Sequence, residues 1–231
     1  MPRIILYQYE ISPFADKVRR TLHIKNLAYE TREVLPSEAN KWKKVSPTGK
    51  FPAMDYDETR IVDSTNIIRY LDEKHPAPQL IPSSPRDLAL AHILEDWADE
   101  SLYYYDLAIR SKANNVDRLV EDVAGHETGL KKVLISKVLP GAAGKIANGQ
   151  GLGRKTSDDL AFEIEKHFAA IDALLNGQEW LCGNSISIAD IAIASMVYVL
   201  IRAEEPAAML PQFQALSAWR DKVDEATGVS A

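Results

Sequence analysis

A cluster of prolines divides this chain into two parts with different hydrophobic periodicity. Four of the twelve prolines fall within EKHPAPQLIPSSPR, residues 73–86. Proline fixes φ and has no backbone N–H to donate, so the segment favours extended backbone and interrupts any helix. We therefore predict a first domain over residues 1–77, a linker over 78–86 and a second domain over 87–231. The length of 231 residues suits two modest domains.

The first part alternates between strand-like and helix-like patterns. Its predicted elements, in chain order, are a strand over residues 4–7, a helix over 12–26, a strand over 29–34, two short strands over 53–57 and 59–62, and a helix over 64–74. An order of βαβ, irregular segment and ββα predicts an α/β domain.

The second part shows helical spacing of apolar residues and no convincing strand. Two stripes carry the pattern: Leu88, Ala91, Leu94, Ala98 and Leu102, then Phe162, Ile164, Phe168, Ile171 and Leu175. The run from Ile188 to Ile201 is apolar nearly all round, as in a helix buried at the centre of a bundle. Ser187 and Asp190 at its start predict a capping box. An all-α second domain follows.

Glycine is concentrated at one place in the second part. Five of the eleven glycines lie between Gly141 and Gly153, in LPGAAGKIANGQGLGRK. Glycine and proline punctuate regular structure, so the stretch predicts a flexible excursion between two helices. It does not complete a dinucleotide fingerprint or a phosphate loop, and a nucleotide site is not expected.

Charge and cysteine usage exclude several classes of protein. The net charge is −6, with 13 basic and 11 acidic residues over 1–80 but 14 and 22 over 81–231. Nucleic-acid binders carry a basic face, so nucleic acid is not an expected partner, and only the first domain suits a small anionic ligand. The single cysteine, Cys182, excludes an internal disulfide, a CxxC redox pair and a thiolate-rich zinc site.

No metal site, leader or membrane span is expected either. The five histidines lack any short ligand spacing, which leaves metal binding without support. Met1-Pro2-Arg3 leads directly into a strand-like segment without a secretory signal. The longest apolar run contains Asp190 and is shorter than the ~20 residues of a membrane span. We expect a soluble, cytoplasmic protein without a membrane partner.

Ser12-Pro13 at the start of the first predicted helix is the first candidate site. Ser at the N-cap, Pro at the first helical position and Asp16 in the first turn make a good helix start. A hydroxyl at a strand-to-helix turn is also where free backbone N–H groups and the helix dipole can hold a thiolate or a phosphate. Taken alone, the pattern favours the cap.

Two further turns are candidates on the same grounds. SPTGKFPAM has two interpretations. It is a plain loop, or it contains a cis Phe51-Pro52 bond that presents the Phe51 backbone to a ligand. Asp63 and Ser64 stand before the last helix of the first domain, where a helix cap explains the serine. A hydroxyl, free amides and a carboxylate at that place could also bind a zwitterionic α-amino acid group.

Four motifs in register resemble the cytosolic glutathione transferase superfamily. They are SPFADKVR after the first strand, SPTGKFPAM before the third, DSTNIIRYLDEKHP after the fourth and NSISIADI in the helical part. The resemblance covers nearly the whole chain. It implies a thioredoxin-like first domain that binds glutathione as co-substrate, and an all-α second domain that forms most of a hydrophobic pocket. A homodimer, a role in detoxification and a small electrophilic, largely apolar second substrate are implied with it.

The resemblance also assigns roles to residues. The first motif is similar to the tau-like, zeta-like and omega-like branches, whose active residue at this position is Ser or Cys; here it is Ser12. The resemblance implies that Lys50, Phe51 and Pro52 meet the glycyl and cysteinyl portions of glutathione, and that Asp63 and Ser64 meet the γ-glutamyl portion.

Other interpretations stay open at this stage. Tyr7 lies where tyrosine-type branches place their hydroxyl donor, although its apolar neighbours indicate packing. Residues 110–155 depart most from the superfamily pattern, which leaves the shape of the co-substrate pocket and the substrate undetermined. A conjugating enzyme has two alternatives. One is a non-catalytic binding or interaction protein with this fold, and the other is a glutathione-dependent thiol transferase or reductase.

Overall fold

The first strand lies inside a mixed four-stranded sheet. In the computed structural model, which describes residues 2–38 and 40–228, the strands are β1 (Ile4–Gln8), β2 (Glu30–Glu33), β3 (Ala53–Tyr56) and β4 (Thr59–Val62). Their order is β2-β1-β3-β4, with β1 parallel to β2 and antiparallel to β3, and β3 antiparallel to β4. The parallel pair requires a crossover, which helix α1 (Pro13–Ile24) supplies.

Two helices cover the sheet and close the first core. Val18 and Leu22 of α1 pack with Leu6 and with Leu71 of helix α2 (Ser64–Lys74). Both helices have one apolar and one polar face, as a helix on a sheet requires. The α/β, thioredoxin-like prediction for the first part is confirmed.

Every element described after residue 84 is helical. These are α3 (Pro85–Trp97), α4 (Tyr103–Arg110), α5 (Val116–Ala124), α6 (Gly129–Gln150), α7 (Ser157–Leu175), α8 (Ile188–Leu200), α9 (Glu204–Met209) and α10 (Gln214–Ala226). A π-helical turn, Ala98–Leu102, joins α3 to α4. The all-α prediction for the second part is confirmed, and the predicted central helix is α8, almost wholly buried.

The predicted flexible excursion at 141–153 is wrong for most of its length. Residues 141–150 continue α6, with Pro140 inside the helix, and a 3-10 turn follows at Leu152–Arg154. The residues that pack inward are small: Ala143 and Ala147 are buried, and α6 lies against α4 and α5. Close packing of a small-residue face outweighs the intrinsic cost of glycine in a helix.

Two residues of the predicted apolar stripes do not face the core. Leu88 on α3 and Phe162 on α7 are exposed, while the other members of both stripes are buried. Single exposed apolar side chains are common on protein surfaces. Periodicity therefore located both helices correctly but placed the edge of each stripe one position too far out.

Three cations on one helix are buried at the boundary between the two parts. Lys17, Arg20 and Lys25 belong to α1 and its C-terminal cap, and all three side chains are almost inaccessible. Lys25 donates to Asp72 at the end of α2 and to the carbonyls of His75 and Pro78. A buried charge is tolerated only when it is paired and hydrogen-bonded, so these contacts determine where α1 sits.

Arg20 ties α1 to the C-terminal helices. Its Nε donates to Asp16 over 2.6 Å, and its Nη1 donates to Asp224 of α10 over 2.6 Å. Asp16 accepts a further hydrogen bond from Ser195 of α8 over 2.9 Å. Burial lowers the pKa of the Arg20 guanidinium, but Asp16 and Asp224 together raise it above its usual value.

Asp190 organises the start of α8. The predicted capping box with Ser187 is present. The buried carboxylate also accepts from the Leu181 amide and from the Trp219 indole N–H, each over 2.9 Å. One side chain thus satisfies donors from the helix start, the preceding loop and α10.

We predict that Asp190→Ala lowers the free energy of unfolding by at least about 3 kcal/mol, because each buried donor left without a partner costs ~1–3 kcal/mol. Asp159→Ala is the matched control, since Asp159 forms the same capping box with Thr156 at the exposed start of α7. Urea unfolding of both variants measures the difference. Equal losses would contradict a special role for the buried carboxylate.

Candidate active site

A cavity of about 600 Å³ lies between the sheet part and the helical part. The loop after β1, the segment after β2, the loop before β3 and the start of α2 form one side. The π-helical turn, α4 and α5 form the other. All six residues singled out from the sequence line it: Ser12, Lys50, Phe51, Pro52, Asp63 and Ser64.

Ser12 is the N-cap residue of α1, but its hydroxyl makes no capping hydrogen bond. Ser84 stands in the same Ser-Pro context before α3, and there the hydroxyl accepts from the Asp87 amide over 3.2 Å. The cap interpretation therefore describes the backbone at Ser12 and not its side chain. The Ser12 hydroxyl is available to a ligand at the positive end of the α1 dipole.

The loop before β3 presents backbone groups to the cavity. The Phe51-Pro52 peptide bond is cis. Among the described residues, nothing hydrogen-bonds the backbone amide or carbonyl of Phe51. The Ser46 hydroxyl donates to the Lys50 carbonyl over 2.6 Å and holds the loop, while the Lys50 side chain is exposed.

The start of α2 is capped by Asp63, not by Ser64 as the sequence suggested. Asp63 Oδ1 accepts from the Asn66 amide over 3.1 Å, and Asp63 has φ +79°. A left-handed aspartate costs energy and is often found at functional sites. Ser64 is the first helical residue, and its side chain makes no hydrogen bond to any described residue.

Sequence reasoning missed Asp99, which lies on the π-helical turn and lines the cavity. Its Oδ2 accepts from Lys17 Nζ over 2.7 Å, while its Oδ1 is buried without a partner among the described residues. Burial raises the pKa of Asp99 to about 6, against the opposing pull of Lys17. The only sequence signal was a carboxylate next to Ala98 in a predicted core stripe.

The end of the cavity formed by α4 and α5 is charged, which sequence reasoning also missed. Arg110 of α4 donates to Asp122 of α5, and Arg202 donates from Nε to the same carboxylate over 2.6 Å. Asp106 lies one turn before Arg110, with 3.8 Å between its Oδ1 and Arg110 Nη1. Burial raises the pKa of Asp106 to about 6 despite Arg110.

Two contacts join the parts at the cavity rim. His126 Nε2 lies 2.5 Å from Glu10 Oε2. The buried Glu127 carboxylate accepts from the Ser37 amide and hydroxyl, each over 2.9 Å. These residues follow α5 and meet the loops after β1 and β2, so the rim is held from both sides.

Tyr7 lies outside the cavity and packs, as its neighbours indicated. Its hydroxyl donates to Asp55 over 3.0 Å, and its ring contacts Trp42 edge-on. Burial and the hydrogen bond to Asp55 raise its pKa. Of the three successive tyrosines, Tyr103 and Tyr104 line the cavity, while Tyr105 donates to Glu163 over 2.9 Å. That division follows from helical geometry, which points successive side chains in different directions.

Comparisons with known proteins place this geometry in a family. Residues 6–79 match the glutathione S-transferase N-terminal domain, and residues 153–231 match the C-terminal domain. Glutathione S-transferase Z2 of Arabidopsis thaliana is 30% identical over 162 residues, which are 64% of this chain and 69% of that protein. The chain belongs to the glutathione S-transferase family. Glutathione is therefore the co-substrate of this transferase.

One further protein is similar in sequence, and one solved structure has the same fold. A probable maleylacetoacetate isomerase of Caenorhabditis elegans is 39% identical over 84 residues, which are 35% of this chain and 39% of that protein. The solved structure of the beta-etherase LigF from Sphingobium sp. strain SYK-6 has a TM-score of 0.71. It is 21% identical, and the match covers 98% of this chain and 99% of that one.

Within residues 2–38 and 40–228, no group of His, Cys, Asp or Glu could hold a metal ion. Over the same residues, no helix is long and apolar enough to span a membrane.

We predict that Asp106→Asn changes how stability depends on pH. The folded pKa of about 6 lies above the ~3.9 of an unfolded aspartate, so folding takes up a proton between them. The free energy of unfolding of the wild type therefore falls as pH rises from about 4 to about 6, and it falls no further above that because Asp106 is then ionised. Asparagine does not ionise, so the variant lacks this loss.

Urea unfolding at about pH 4 and about pH 7 should show the variant gaining roughly 2 kcal/mol over wild type between the two. Parallel curves for the two proteins would show that Asp106 is ionised throughout this range.

Proposed function

We propose that this transferase activates glutathione through the Ser12 hydroxyl and transfers the thiolate to neutral, largely apolar electrophiles. The observation that carries the proposal is the Ser12 side chain, which lines the cavity at the start of α1 without capping it. Serine has no base assigned to it here, so it acts as a hydrogen-bond donor and glutathione remains the nucleophile.

The energies required are within reach of these groups. A free thiol with pKa ~8.5 is only a few per cent ionised at pH 7, and lowering that pKa by ~2 units needs ~2.7 kcal/mol. A hydrogen bond to a charged thiolate supplies ~1.5–3 kcal/mol, and the helix terminus adds ~0.3–1 kcal/mol. The two together suffice without a metal ion or a base.

The rest of glutathione would lie along the loop before β3 and the start of α2. Phe51 offers its amide and carbonyl, which no described residue hydrogen-bonds, to the cysteinyl portion beside Pro52. The Lys50 ammonium suits the glycyl carboxylate. The Ser64 hydroxyl and the amides at the start of α2 suit the γ-glutamyl carboxylate. Asp63 keeps one carboxylate oxygen for the ammonium group while the other caps the helix.

The surroundings of Ser12 and the charges of the cavity lining favour one class of second substrate. Phe14 and Tyr103, with ring centroids 4.9 Å apart, provide aromatic surface next to Ser12. The cavity lining contains seven carboxylates: Glu10, Glu33, Asp63, Asp99, Glu100, Asp106 and Asp122. Lys50 and Arg110 are the lysine and arginine in that lining. This charge balance favours a neutral electrophile over an anionic one.

The isomerase relative does not change that choice. Its 84 aligned residues are too few to span the cavity lining, which runs from Tyr9 to His126. An isomerase acting on a dicarboxylate would need its second substrate to enter among these carboxylates. The alignment therefore does not decide the second substrate, and the choice rests on the cavity lining.

The structure gives less support to a thiol transferase or to a non-catalytic protein. A thiol transferase needs a reactive cysteine, but Cys182 is buried, does not line the cavity, and has its pKa raised to about 12 by burial. A non-catalytic protein would not need the Ser12 hydroxyl left free. A homodimer, a role in detoxification and a cytoplasmic location stay predictions drawn from the resemblance.

We predict that Ser12→Ala raises the thiol pKa of bound glutathione and slows conjugation about 10- to 100-fold, because one hydrogen bond to the thiolate is lost. Stability should be nearly unchanged, since the hydroxyl caps nothing. Ser84→Ala is the matched control: it should lower the melting temperature and leave the rate alone. Steady-state kinetics, thiolate absorbance and melting distinguish the two.

The Ser12 assignment fails if Ser12→Ala conjugates glutathione at the wild-type rate with an unchanged thiolate titration. If neither wild type nor variant binds glutathione at millimolar concentration in calorimetry, the non-catalytic alternative is favoured.

We predict that Ser64→Ala weakens glutathione binding about 10- to 100-fold, by removing one hydrogen bond to a carboxylate. Asp63→Asn should also weaken binding while keeping stability, because asparagine caps a helix as well as aspartate does. Ser157→Ala, at the equivalent first position of α7, is the control for a purely structural effect. Calorimetry gives the affinities; unchanged values for both site variants would refute the γ-glutamyl contacts.

A further inference from the structure

Helix α6 and the turn after it are basic in an acidic protein. Residues 129–155 contain six of the 27 lysines and arginines and none of the 33 aspartates and glutamates. Four of the six are exposed lysines of α6: Lys131, Lys132, Lys137 and Lys145. None of these four pairs with a carboxylate in the part of the chain that the structure describes.

The same helix exposes an apolar stripe. Leu130, Leu134 and Val138 are spaced four residues apart, so they lie along one face. They are 88%, 62% and 57% exposed. Ala143 and Ala147 are buried on the opposite side, where α6 packs on α4. α6 therefore carries apolar surface both towards the protein and away from it.

The lysines border this stripe. Lys131 follows Leu130 directly, Lys137 precedes Val138 directly, and Lys145 stands two turns further along. Lysine stems can lie along apolar surface while their ammonium groups reach outward. The outward face of this 22-residue helix is thus an aliphatic stripe flanked by lysines that pair with no described carboxylate.

We propose that α6 docks on the surface of a bilayer that contains anionic lipids. Leu130, Leu134 and Val138 enter the boundary between headgroups and acyl chains, and the lysines contact lipid phosphates. Basic helices with an exposed apolar face bind in this way, and clusters of four to eight cations favour anionic lipid. The earlier expectation of no membrane partner rested on the lack of a spanning segment, which surface docking does not need.

A second copy of the chain is a weaker occupant. A stable protein interface buries ~800 Å² on each partner with matched shape. The exposed aliphatic side chains of α6, which also include Val133 and Ile146, supply only a fraction of that. A bilayer surface requires no matched shape and is complementary to the charge. The proposal is independent of Ser12 and of the cavity.

The test uses the full-length protein and co-sedimentation with two kinds of vesicle. One is phosphatidylcholine alone, and the other contains about one third phosphatidylglycerol. We expect sedimentation with the anionic vesicles only, decreasing as salt is raised. Lys131→Gln with Lys137→Gln should weaken binding about 30-fold, since each lysine contributes about fivefold. Leu134→Ser should weaken it as well.

Matched controls separate docking from general effects. Lys43→Gln with Lys44→Gln removes two exposed, adjacent lysines elsewhere, and Ile93→Ser removes an exposed apolar side chain of α3. Both should bind vesicles like wild type, and circular dichroism should show every variant folded.

Three results would overturn the proposal. One is no preference for anionic vesicles, and another is equal losses in the α6 and control variants. The third is a dimer, seen by analytical ultracentrifugation, that Leu134→Ser dissociates, because α6 would then be a contact between copies of this chain.

Discussion

The arrangement of the whole molecule depends on the burial of three cations carried by α1. Lys17 contacts Glu95 and Asp99, and Arg20 contacts Asp16 and Asp224. An unpaired charge at this depth would cost several kcal/mol, so the helical part must present Glu95, Asp99 and Asp224 at defined places. The same contacts hold the N-terminus of α1 against the cavity. Lys17 and Arg20, about one and two turns further along the same helix, therefore determine where Ser12 lies.

The network at Lys17 also reaches into the cavity. One Asp99 oxygen accepts from Lys17, while the other has no partner among the described residues, and burial raises the pKa of Asp99 to about 6. Asp99 thus both pairs with a buried lysine and lines the cavity. At the far end of the cavity, Asp106 and Arg110 each have one buried polar atom with no hydrogen-bond partner in the part of the chain that the structure describes. The cavity combines aromatic surface near Ser12 with fixed charges at its edges.

The same Ser-Pro sequence has different roles at the starts of α1 and α3. Ser12-Pro13 and Ser84-Pro85 have the same sequence and both precede a helix, yet only Ser84 uses its hydroxyl as a cap. A serine that leaves the cap unmade loses ~0.5–2 kcal/mol of stabilisation. In this protein the free hydroxyl lies in a cavity with Phe51 and Ser64, contributed by distant parts of the chain.

The sequence alone determined the class of both parts, the order of strands and helices in the first part and the six candidate residues that line the cavity. Those predictions rest on periodicity, turn chemistry and motifs, which act over a few residues. Tertiary structure decided what depends on contacts between distant residues. Examples are the helical state of 141–150, which small buried alanines stabilise, and the charge at the far end of the cavity. Asp99 and Asp106 could not be recognised beforehand, because burial, which only the packed fold creates, gives each carboxylate its raised pKa.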